Sequence, residues 1–596
     1  MGEVRFEIAE CPPADVERLR RELGVSGAVA QVLVRRGMAA PPRARAFLAA
    51  DEEHPHAAFA GIEAAIETIE AHLRAQTRIT VHGDYDVDGI CSTAVLVRAL
   101  RGLGAEVDWY LPDRASDGYG LGAQTVRRLA ARGTRLLVTA DCGITAVEEV
   151  ALARELGMDV LVTDHHSPRA DGALPDAPIV HPGVCGYPFG ELCATAVVYK
   201  LAQALLQARG RDQQELERDL DLVALATIAD VVPLLGENRT LVRGGLRALA
   251  GTVKPGLRAL MAVARVDPGK LDERSVAFGL APRLNAAGRM YRADAGLELI
   301  LTEDRARAAR IAQELDRVNH ERRSAEQRIS FEAEAQIATL GDGSERRALV
   351  LAGEGWHVGV IGIVASRLAE RHNRPVVLIA LEGERGRGSG RAGCEAFDLL
   401  AGLTACAEHL SRYGGHRAAA GLEIERGRVA EFAAALDAHA RRVLAESDMA
   451  PVERVDAVLD GGELGMALAE ELRRLGPFGQ GNPSVSLMVS GATFADARPM
   501  GEGKHVRFTV RSPEGRARAV AFNTGGRLPV AEDEPAQATF ALEVNEWNGV
   551  SEPRLVLRHA RAAAGPTVED RRPARPSAQR GARETETGQK ELVLFT

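Results

Sequence analysis

Apolar residues follow two rhythms along this chain. From about residue 61, short aliphatic runs alternate with stretches of helical spacing. A helix over 61–75 leads to the run 78–81, then a helix over 91–103 and the run 106–111. The run 134–140, a helix over 145–156 and the runs 159–163 and 178–180 follow, and helical spacing dominates from 193 to about 250. β-Branched runs separated by helices predict a parallel, doubly wound sheet.

The segment 301–338 is charged and periodic, rich in Arg, Glu and Ala, and reads as one long exposed helix between two lobes. A second α/β unit begins near 346 and runs to about 445. From about 452 the rhythm shortens to five alternating runs, which predict a small β-barrel of OB type. The first 60 residues read as short helices broken by prolines. Beyond 562 the chain is polar and rich in Pro, Gly and Arg, the composition of a disordered tail. The predicted fold class is therefore α/β: two α/β lobes joined by a long helix, plus a C-terminal OB-like barrel. Its units are 1–60, 61–250, 251–340 (helical, with the connecting helix), 341–448, 449–561 and 562–596.

Composition narrows the function classes. The 596 residues suffice for about three to five domains. Hydrophobic residues make up 46% and charged residues 26%, an ordinary globular balance. The formal net charge of −9 argues against a generic basic nucleic-acid coat, though not against a local basic groove. No run of about 18 uncharged apolar residues predicts a membrane span. The opening residues are charged throughout and lack the apolar run of a signal peptide, so a cytoplasmic protein is expected. Seven cysteines with no C-x-x-C pair speak against a disulfide framework or a thiol-rich zinc site. Lysines number only five, so phosphate contacts would come from arginine forks.

The chemistry concentrates at strand ends. After Val81 comes His82-Gly83-Asp84-Tyr85-Asp86-Val87-Asp88-Gly89, with three carboxylates at alternate positions. Such a cluster either caps a helix, with Asp88 at the start of one near Ile90, or is neutralised by a cation. The run 136–140 ends at Asp141, and the run 159–163 ends at Asp164-His165-His166. Asp230 follows the helical run 220–229. Ligands of open α/β sheets collect beyond the carboxyl ends of the strands, so these groups would share one crevice. Carboxylates with one or two imidazoles suit Mn²⁺ or Mg²⁺.

These motifs, with the run 220–239, resemble the DHH phosphoesterase superfamily and, more narrowly, the bacterial RecJ exonucleases. The resemblance continues through 281–290 (APRLNAAGRM), 356–368, Gly388-Ser389-Gly390-Arg391, 414–421 and 477–483 (PFGQGNP). It identifies 61–250 as a DHH catalytic domain, 341–448 as a DHHA1-like substrate domain and 449–561 as an OB domain. It implies a single-stranded-DNA-specific 5′→3′ exonuclease of DNA repair and recombination, releasing 5′-mononucleotides by two-metal hydrolysis with Mn²⁺ or Mg²⁺. Asp84, Asp86, Asp88, Asp141, His165 and Asp230 would be the ligands, with Asp141 shared between two ions. His82 would be a further ligand or a support behind one. His166 would orient His165 or protonate the leaving oxygen, and Asp164 would fix an imidazole tautomer.

In the second lobe, Gly388–Arg391 reads as a flexible cationic loop able to approach an anion, with Arg391 forking onto phosphate. The resemblance makes this a pocket for a free 5′ phosphate, built from Ser389, Gly390 and Arg391 with Arg289, and with Gly415 and His416 brought to the scissile phosphate. Single-stranded-DNA-binding protein and a helicase are expected partners. The last residues, with Gln589, Leu592, Leu594 and Phe595, resemble peptides that bind the bacterial sliding clamp. Two alternatives stand beside this expectation: a nanoRNA or cyclic-dinucleotide phosphodiesterase, and a non-catalytic replication scaffold of the same fold. The barrel favours a polymer substrate, and the complete ligand set favours an enzyme.

Overall fold

A computed structural model describes residues 4–113, 117–290, 292–340, 346–547 and 549–563. The tail expected beyond 562 and the terminal apolar peptide, Gln589 to Phe595, lie outside the described residues from 564 onward.

Strand β1 (Arg5–Glu7) opens the chain, and the helices Pro13–Leu23, Gly27–Arg35 and Pro41–Ala49 follow. The first lobe is built on β2 (Ile79–His82), β3 (Val107–Tyr110), β4 (Leu136–Ala140), β5 (Asp159–Thr163) and β6 (Ile179–Val180). These form one sheet in the order β3-β2-β4-β5-β6, parallel at every pairing. Strands β2 and β4 are buried along their whole length, as a parallel sheet covered on both faces requires. Chain order reverses between β2 and β4, so the crevice beyond their carboxyl ends is the natural ligand position.

The helix after β2 spans Val87–Gly102, four residues earlier than the spacing predicts. Asp86, not Asp88, caps it: the Asp86 carboxylate accepts from the backbone N–H of Asp88 (3.0 Å) and Gly89 (3.1 Å).

The long helix spans Arg305–Thr339. The sequence predicts it exposed, but one stripe is buried along its length. Ile311, Leu315 and their neighbours enter the core of the first lobe, while Ile329, Ala333 and Ile337 enter that of the second. One rigid element thus belongs to both hydrophobic cores. Between the two apolar stretches lies a buried polar step: Arg322 donates to Glu326 (2.7 Å) and to Asn319, and Glu326 also pairs with Arg367.

The second lobe comprises β7 (Leu349–Glu354), β8 (Val376–Glu382), β9 (Arg385–Arg391), β10 (Arg412–Gly415) and β11 (Ala419–Glu425). Its order is β10-β11-β9-β8-β7; only β7 and β8 run parallel. Here the structure corrects one expectation. Gly388–Arg391 is the end of β9, a central strand, and not a flexible loop. The glycines alternate inward, where a Cβ on Gly386, Gly388 or Gly390 would meet Ile379, Leu422 or Leu399 at 2.7–3.0 Å. The arginines consequently alternate outward.

After β12 (Val452–Arg454) and β13 (Ala457–Leu459) come β14 (Leu487–Val489), β15 (Thr493–Met500), β16 (His505–Ser512), β17 (Gly515–Ala521), β18 (Ala536–Trp547) and β19 (Val550–Ala562). The sheet order is β13-β14-β18-β19-β17-β16-β15. The sequence shows one run where β14 and β15 stand, and the structure bends it at Gly491, in the left-handed region at φ 61°. Its first half pairs with β18 and its second with β16, while β17 and β19 pair in parallel. That connectivity curls the sheet on itself as an OB-fold does.

The N-terminal segment packs on this barrel, which the sequence does not predict. β1 pairs in parallel with β12. Leu19, Val29 and Leu33 share one core with Phe494, Phe508 and Phe540. Arg239, almost wholly buried, ties these parts to the first lobe. Its guanidinium lies 4.0 Å over the Phe47 ring and donates to the carbonyls of Phe47, Leu475 and Arg474.

Candidate metal centre

Backbone geometry aims the acidic groups. β2 ends at His82, and the loop that follows is pressed onto the helix Val87–Gly102. A Cβ on Gly89 would lie 2.5 Å from the Asp84 backbone, so a side chain there would push the loop away. The helix Ala281–Met290, which carries APRLNAAGRM, supports the loop from outside. Asn285 accepts from the Val87 N–H at 3.1 Å, and Gly288 leaves room for the Tyr85 carbonyl. β4 delivers Asp141 in a left-handed conformation, φ 68°, and Val231, next to Asp230, is likewise left-handed at φ 60°. Non-glycine residues held there carry strain that the surrounding structure must enforce, and such strain clusters at functional sites.

Every ligand expected from the sequence arrives in one crevice. Ligand atoms of Asp84, Asp86 and Asp141 lie within 4.8 Å of one another, as do those of Asp88, His165 and Asp230, and those of Asp141, His165 and His166. His165 Nε2 stands 3.3 Å from Asp141 Oδ1, 3.6 Å from Asp230 Oδ2 and 3.7 Å from Asp88 Oδ2. Asp88 is also gripped by the start of the helix Ala194–Ala208: the N–H groups of Ala194 and Thr195 donate to its two oxygens at 2.7 and 2.8 Å.

The two histidines are held differently. The Asp164 carboxylate accepts from the N–H groups of His165, His166 and Ile144 and lies 2.8 Å from His166 Nδ1. It therefore fixes His166, while His165 is left to face the other carboxylates. Burial would lower the His166 pKa, but the hydrogen bond and charge of Asp164, with Asp230 and Asp86, raise it to about 9. Burial and then the neighbouring His166 lower His165. The same contacts carry Asp164 well below the usual carboxylate range despite its burial.

Burial, then repulsion from Asp88 and Asp86, pushes Asp230 up to about 9 and Asp141 well above its usual range. The crevice thus carries more negative charge than its own groups balance. Asp141 Oδ1 and His165 Nε2 are buried without hydrogen-bond partners. Carboxylate oxygens that repel one another, with an unpartnered oxygen on Asp141 and an unpartnered nitrogen on His165, fit Mn²⁺ or Mg²⁺.

His82 stands apart. It is fully buried, against Cys142 Sγ at 3.5 Å and the Tyr110 ring, and burial lowers its pKa to about 4. Among the described residues it joins none of the three ligand groups. This geometry favours support of the crevice floor over ligation or catalysis. Tyr119, which the sequence pattern does not single out, reaches the site. Its hydroxyl lies 3.1 and 3.2 Å from the two His166 ring nitrogens and 3.4 Å from the Asp141 carbonyl. The available signal was the Gly118-Tyr119-Gly120 step, whose glycines are both left-handed.

On the second lobe, Arg391 Nη1 donates to Ser389 Oγ (3.1 Å) and the Gly390 carbonyl (2.7 Å). Both side chains lie beside Gly362 of the helix Val358–His372. Arg289 crosses from the first lobe and donates to the Gly359 carbonyl in that helix at 3.3 Å. Arg289 and Arg391 thus approach the same helix from two lobes. Gly415 ends β10 at φ 141°, and His416 sits exposed at the hairpin tip, its N–H closing the turn on the Ala419 carbonyl.

A cavity of about 630 Å³ lies against Ala229 and Val231, the neighbours of Asp230 in the chain. Its lining includes Val231 and Val232, the arginines Arg289, Arg322, Arg323 and Arg367, and Phe478 and Gln480 of the PFGQGNP segment. Val231 and Phe278 on its wall are 64% and 77% exposed, unusual for large apolar residues.

Comparison with known proteins agrees with this layout. Residues 78–227 match the DHH family N-terminal domain, 345–442 the DHHA1 domain and 455–559 the RecJ OB domain. The single-stranded-DNA-specific exonuclease RecJ of Bacillus subtilis (strain 168) is 37% identical over 568 residues, covering 94% of this chain and 71% of the relative. That of Escherichia coli (strain K12) is 36% identical over 531 residues, covering 84% and 90%. The crystal structure of RecJ from Thermus thermophilus in complex with Mn²⁺ gives a TM-score of 0.82 at 32% identity, covering 94% of this chain and 80% of that one. The Mg²⁺ complex gives 0.76 at 30%, covering 94% and 79%.

Proposed function

The chain belongs to the RecJ family of single-stranded-DNA-specific exonucleases, and from that premise we propose that it degrades single-stranded DNA from a free 5′ end, releasing 5′-mononucleotides. It is a metal-dependent hydrolase. One observation carries the reading: three groups of carboxylates and imidazoles able to hold a metal ion, in one crevice of a chain that also carries an arginine-lined cavity.

In this reading Asp84, Asp86 and Asp141 would hold one cation, and Asp88, His165 and Asp230 a second, with Asp141 as the carboxylate the two would share. Divalent cations bound there supply the charge that activates water and offsets the developing negative charge of phosphodiester hydrolysis. The chain supplies the rest. Asp164 holds Nδ1 of a protonated His166, leaving the opposite nitrogen to deliver a proton to the departing 3′ oxygen. Arg289, Ser389, Gly390 and Arg391 receive the terminal 5′ phosphate at the helix Val358–His372, which sets the direction of digestion. Gly415 and His416 border that lobe; the exposed hairpin tip supports a substrate contact and no proton-transfer role for His416. The cavity leads the strand onward, with arginines for phosphates and Val231 and Phe278 for bases.

Repair and recombination are the processes that need such resection. Single-stranded-DNA-binding protein and a helicase are the partners whose substrates match. A sliding-clamp contact through Gln589, Leu592, Leu594 and Phe595 remains a sequence-based proposal. The test is topological: a linear single strand should be consumed, and a covalently closed circle of the same sequence should survive. Digestion of the circle would remove the end-dependent reading.

A further inference from the structure

The PFGQGNP segment, 477–483, belongs to none of the ligand groups, yet it packs against the stretch that follows Asp230. We propose that it is a positioning element of the metal centre: through Leu234 it holds the turn that aims the Asp230 carboxylate. The proposal rests on the reading of Asp230 as a ligand given above.

Asp230 lacks the local support that other carboxylates of the crevice have. Asp88 is gripped by the N–H groups of Ala194 and Thr195, and Asp86 accepts two N–H groups of the helix it caps. Among the described residues the Asp230 carboxylate accepts no hydrogen bond; it faces His165 Nε2 at 3.6 Å. Its place therefore depends on its backbone. The helix Leu220–Ala229 ends just before it, and Val231 turns left-handed just after it. A β-branched residue stays in that conformation only under outside restraint.

The restraint comes from two sides. Asn238, on the helix Gly236–Ala250, donates to the Pro233 carbonyl at 3.1 Å and to that of Glu191 at 2.6 Å. From the barrel, the Gln480 carbonyl accepts the Leu234 N–H at 2.8 Å. The buried Leu234 side chain lies over Gly479, where a Cβ would come within 2.8 Å of it. Gly481 is left-handed at φ 72°, and a Cβ there would lie 3.2 Å from both Pro233 and Leu235. The two glycines form a notch into which 233–235 fits. The notch is itself braced. Gly479 and Asn482 exchange backbone hydrogen bonds at 2.9 and 3.1 Å. The buried Asn482 amide donates to the carbonyls of Leu475 and Pro477 and accepts from Arg36. The strained turn at Val231 is thus followed at once by a stretch pinned between a helix and a fixed loop.

The test reads Mn²⁺ binding by the full chain in the absence of DNA, from the electron paramagnetic resonance signal of the free ion. Gly479→Val drives a side chain into Leu234, and Leu234→Ala empties the notch. Each should weaken one Mn²⁺ site by roughly 10- to 100-fold, the usual cost of losing a partner behind a metal ligand. Should Gly479→Val fail to fold, Leu234→Ala decides alone. Where both fold, the double variant has room for the new side chain and should bind Mn²⁺ more tightly than either single variant. Losses that multiply in the double variant would overturn the notch. A contact that only joins the barrel to the first lobe would lower the melting temperature and leave Mn²⁺ binding unchanged, and that result overturns the proposal. Asp230→Asn is the reference. If it binds Mn²⁺ as the unaltered chain does, the ligand reading falls and the proposal falls with it. If Asp230→Asn loses affinity while Gly479→Val and Leu234→Ala do not, Asp230 keeps its role and the segment does not.

Discussion

His165 Nε2 and Asp141 Oδ1 face each other at 3.3 Å, both buried and neither with a hydrogen-bond partner. They sit where the two ligand groups meet. Asp141 belongs to the group with Asp84 and Asp86, and His165 to the group with Asp88 and Asp230. If Asp141 is shared between two ions, as proposed above, removing it should disable both halves of the site. Asp141→Ala is expected to lose at least about 10³-fold in rate, within the range that transition-state charge stabilisation supplies. Affinity for single-stranded DNA should stay within about threefold, because binding rests on phosphate contacts elsewhere. Single-turnover hydrolysis and strand binding on the same preparation check this; a near-native rate under saturating Mn²⁺ contradicts it.

Arg391 makes its prediction at the proposed 5′-phosphate pocket. Its guanidinium is already oriented by Ser389 Oγ and the Gly390 carbonyl. Arg391→Ala should cost about 1.5–3 kcal/mol of preference for a 5′-phosphorylated over a 5′-hydroxyl end, the worth of a hydrogen bond to a charged group. Overall strand affinity should change less. The check is the ratio of rates on the two ends, and an unchanged ratio removes Arg391 from the phosphate pocket.

Arg239 gives a prediction about assembly. Three carbonyls, one buried and two partly buried, from two segments far apart in the chain, converge on one guanidinium stacked on Phe47. Arg239→Met keeps length and apolar bulk but strands those acceptors, at about 1–3 kcal/mol each. A lower unfolding temperature and faster protease cleavage near residue 50 and near residue 475 are expected, with the metal crevice intact. Unchanged melting and cleavage would show that the N-terminal segment and barrel are held to the first lobe by other contacts.

Arg239 also marks where sequence reading stops. The strand ends that present Asp84, Asp141 and Asp164 were legible because local aliphatic runs fix both the strand and its carboxyl end. The helix Arg305–Thr339 was legible in extent but not in burial: its Arg and Glu content suggested solvent, whereas Ile311, Leu315, Ile329 and Ile337 form a narrow buried stripe. Gly388–Arg391 reads as a loop in the sequence because glycine usually signals one. The alternation of glycine and longer residues was a strand pattern, with glycine inward because Ile379, Leu399 and Leu422 fill the space. The packing of Leu19, Val29 and Leu33 against Phe494 and Phe540 joins residues hundreds of positions apart, and no local periodicity encodes it. Tyr119 was missed for a related reason: it is brought to His166 by two turns, and a single tyrosine between glycines carries no periodic signal.

The account stands most directly on the polarity and metal dependence of digestion. A single-stranded oligonucleotide labelled at its 5′ end, and the same strand labelled at its 3′ end, should be incubated with the full chain in Mn²⁺, in Mg²⁺ and in chelator. The expected result is immediate release of labelled mononucleotide from the 5′-labelled strand. The 3′-labelled strand should give a ladder of progressively shortened fragments, and neither strand should change in chelator. Early release of mononucleotide from the 3′ label, or undiminished digestion in chelator, would contradict the assignment of this crevice as the metal centre of a 5′-end exonuclease.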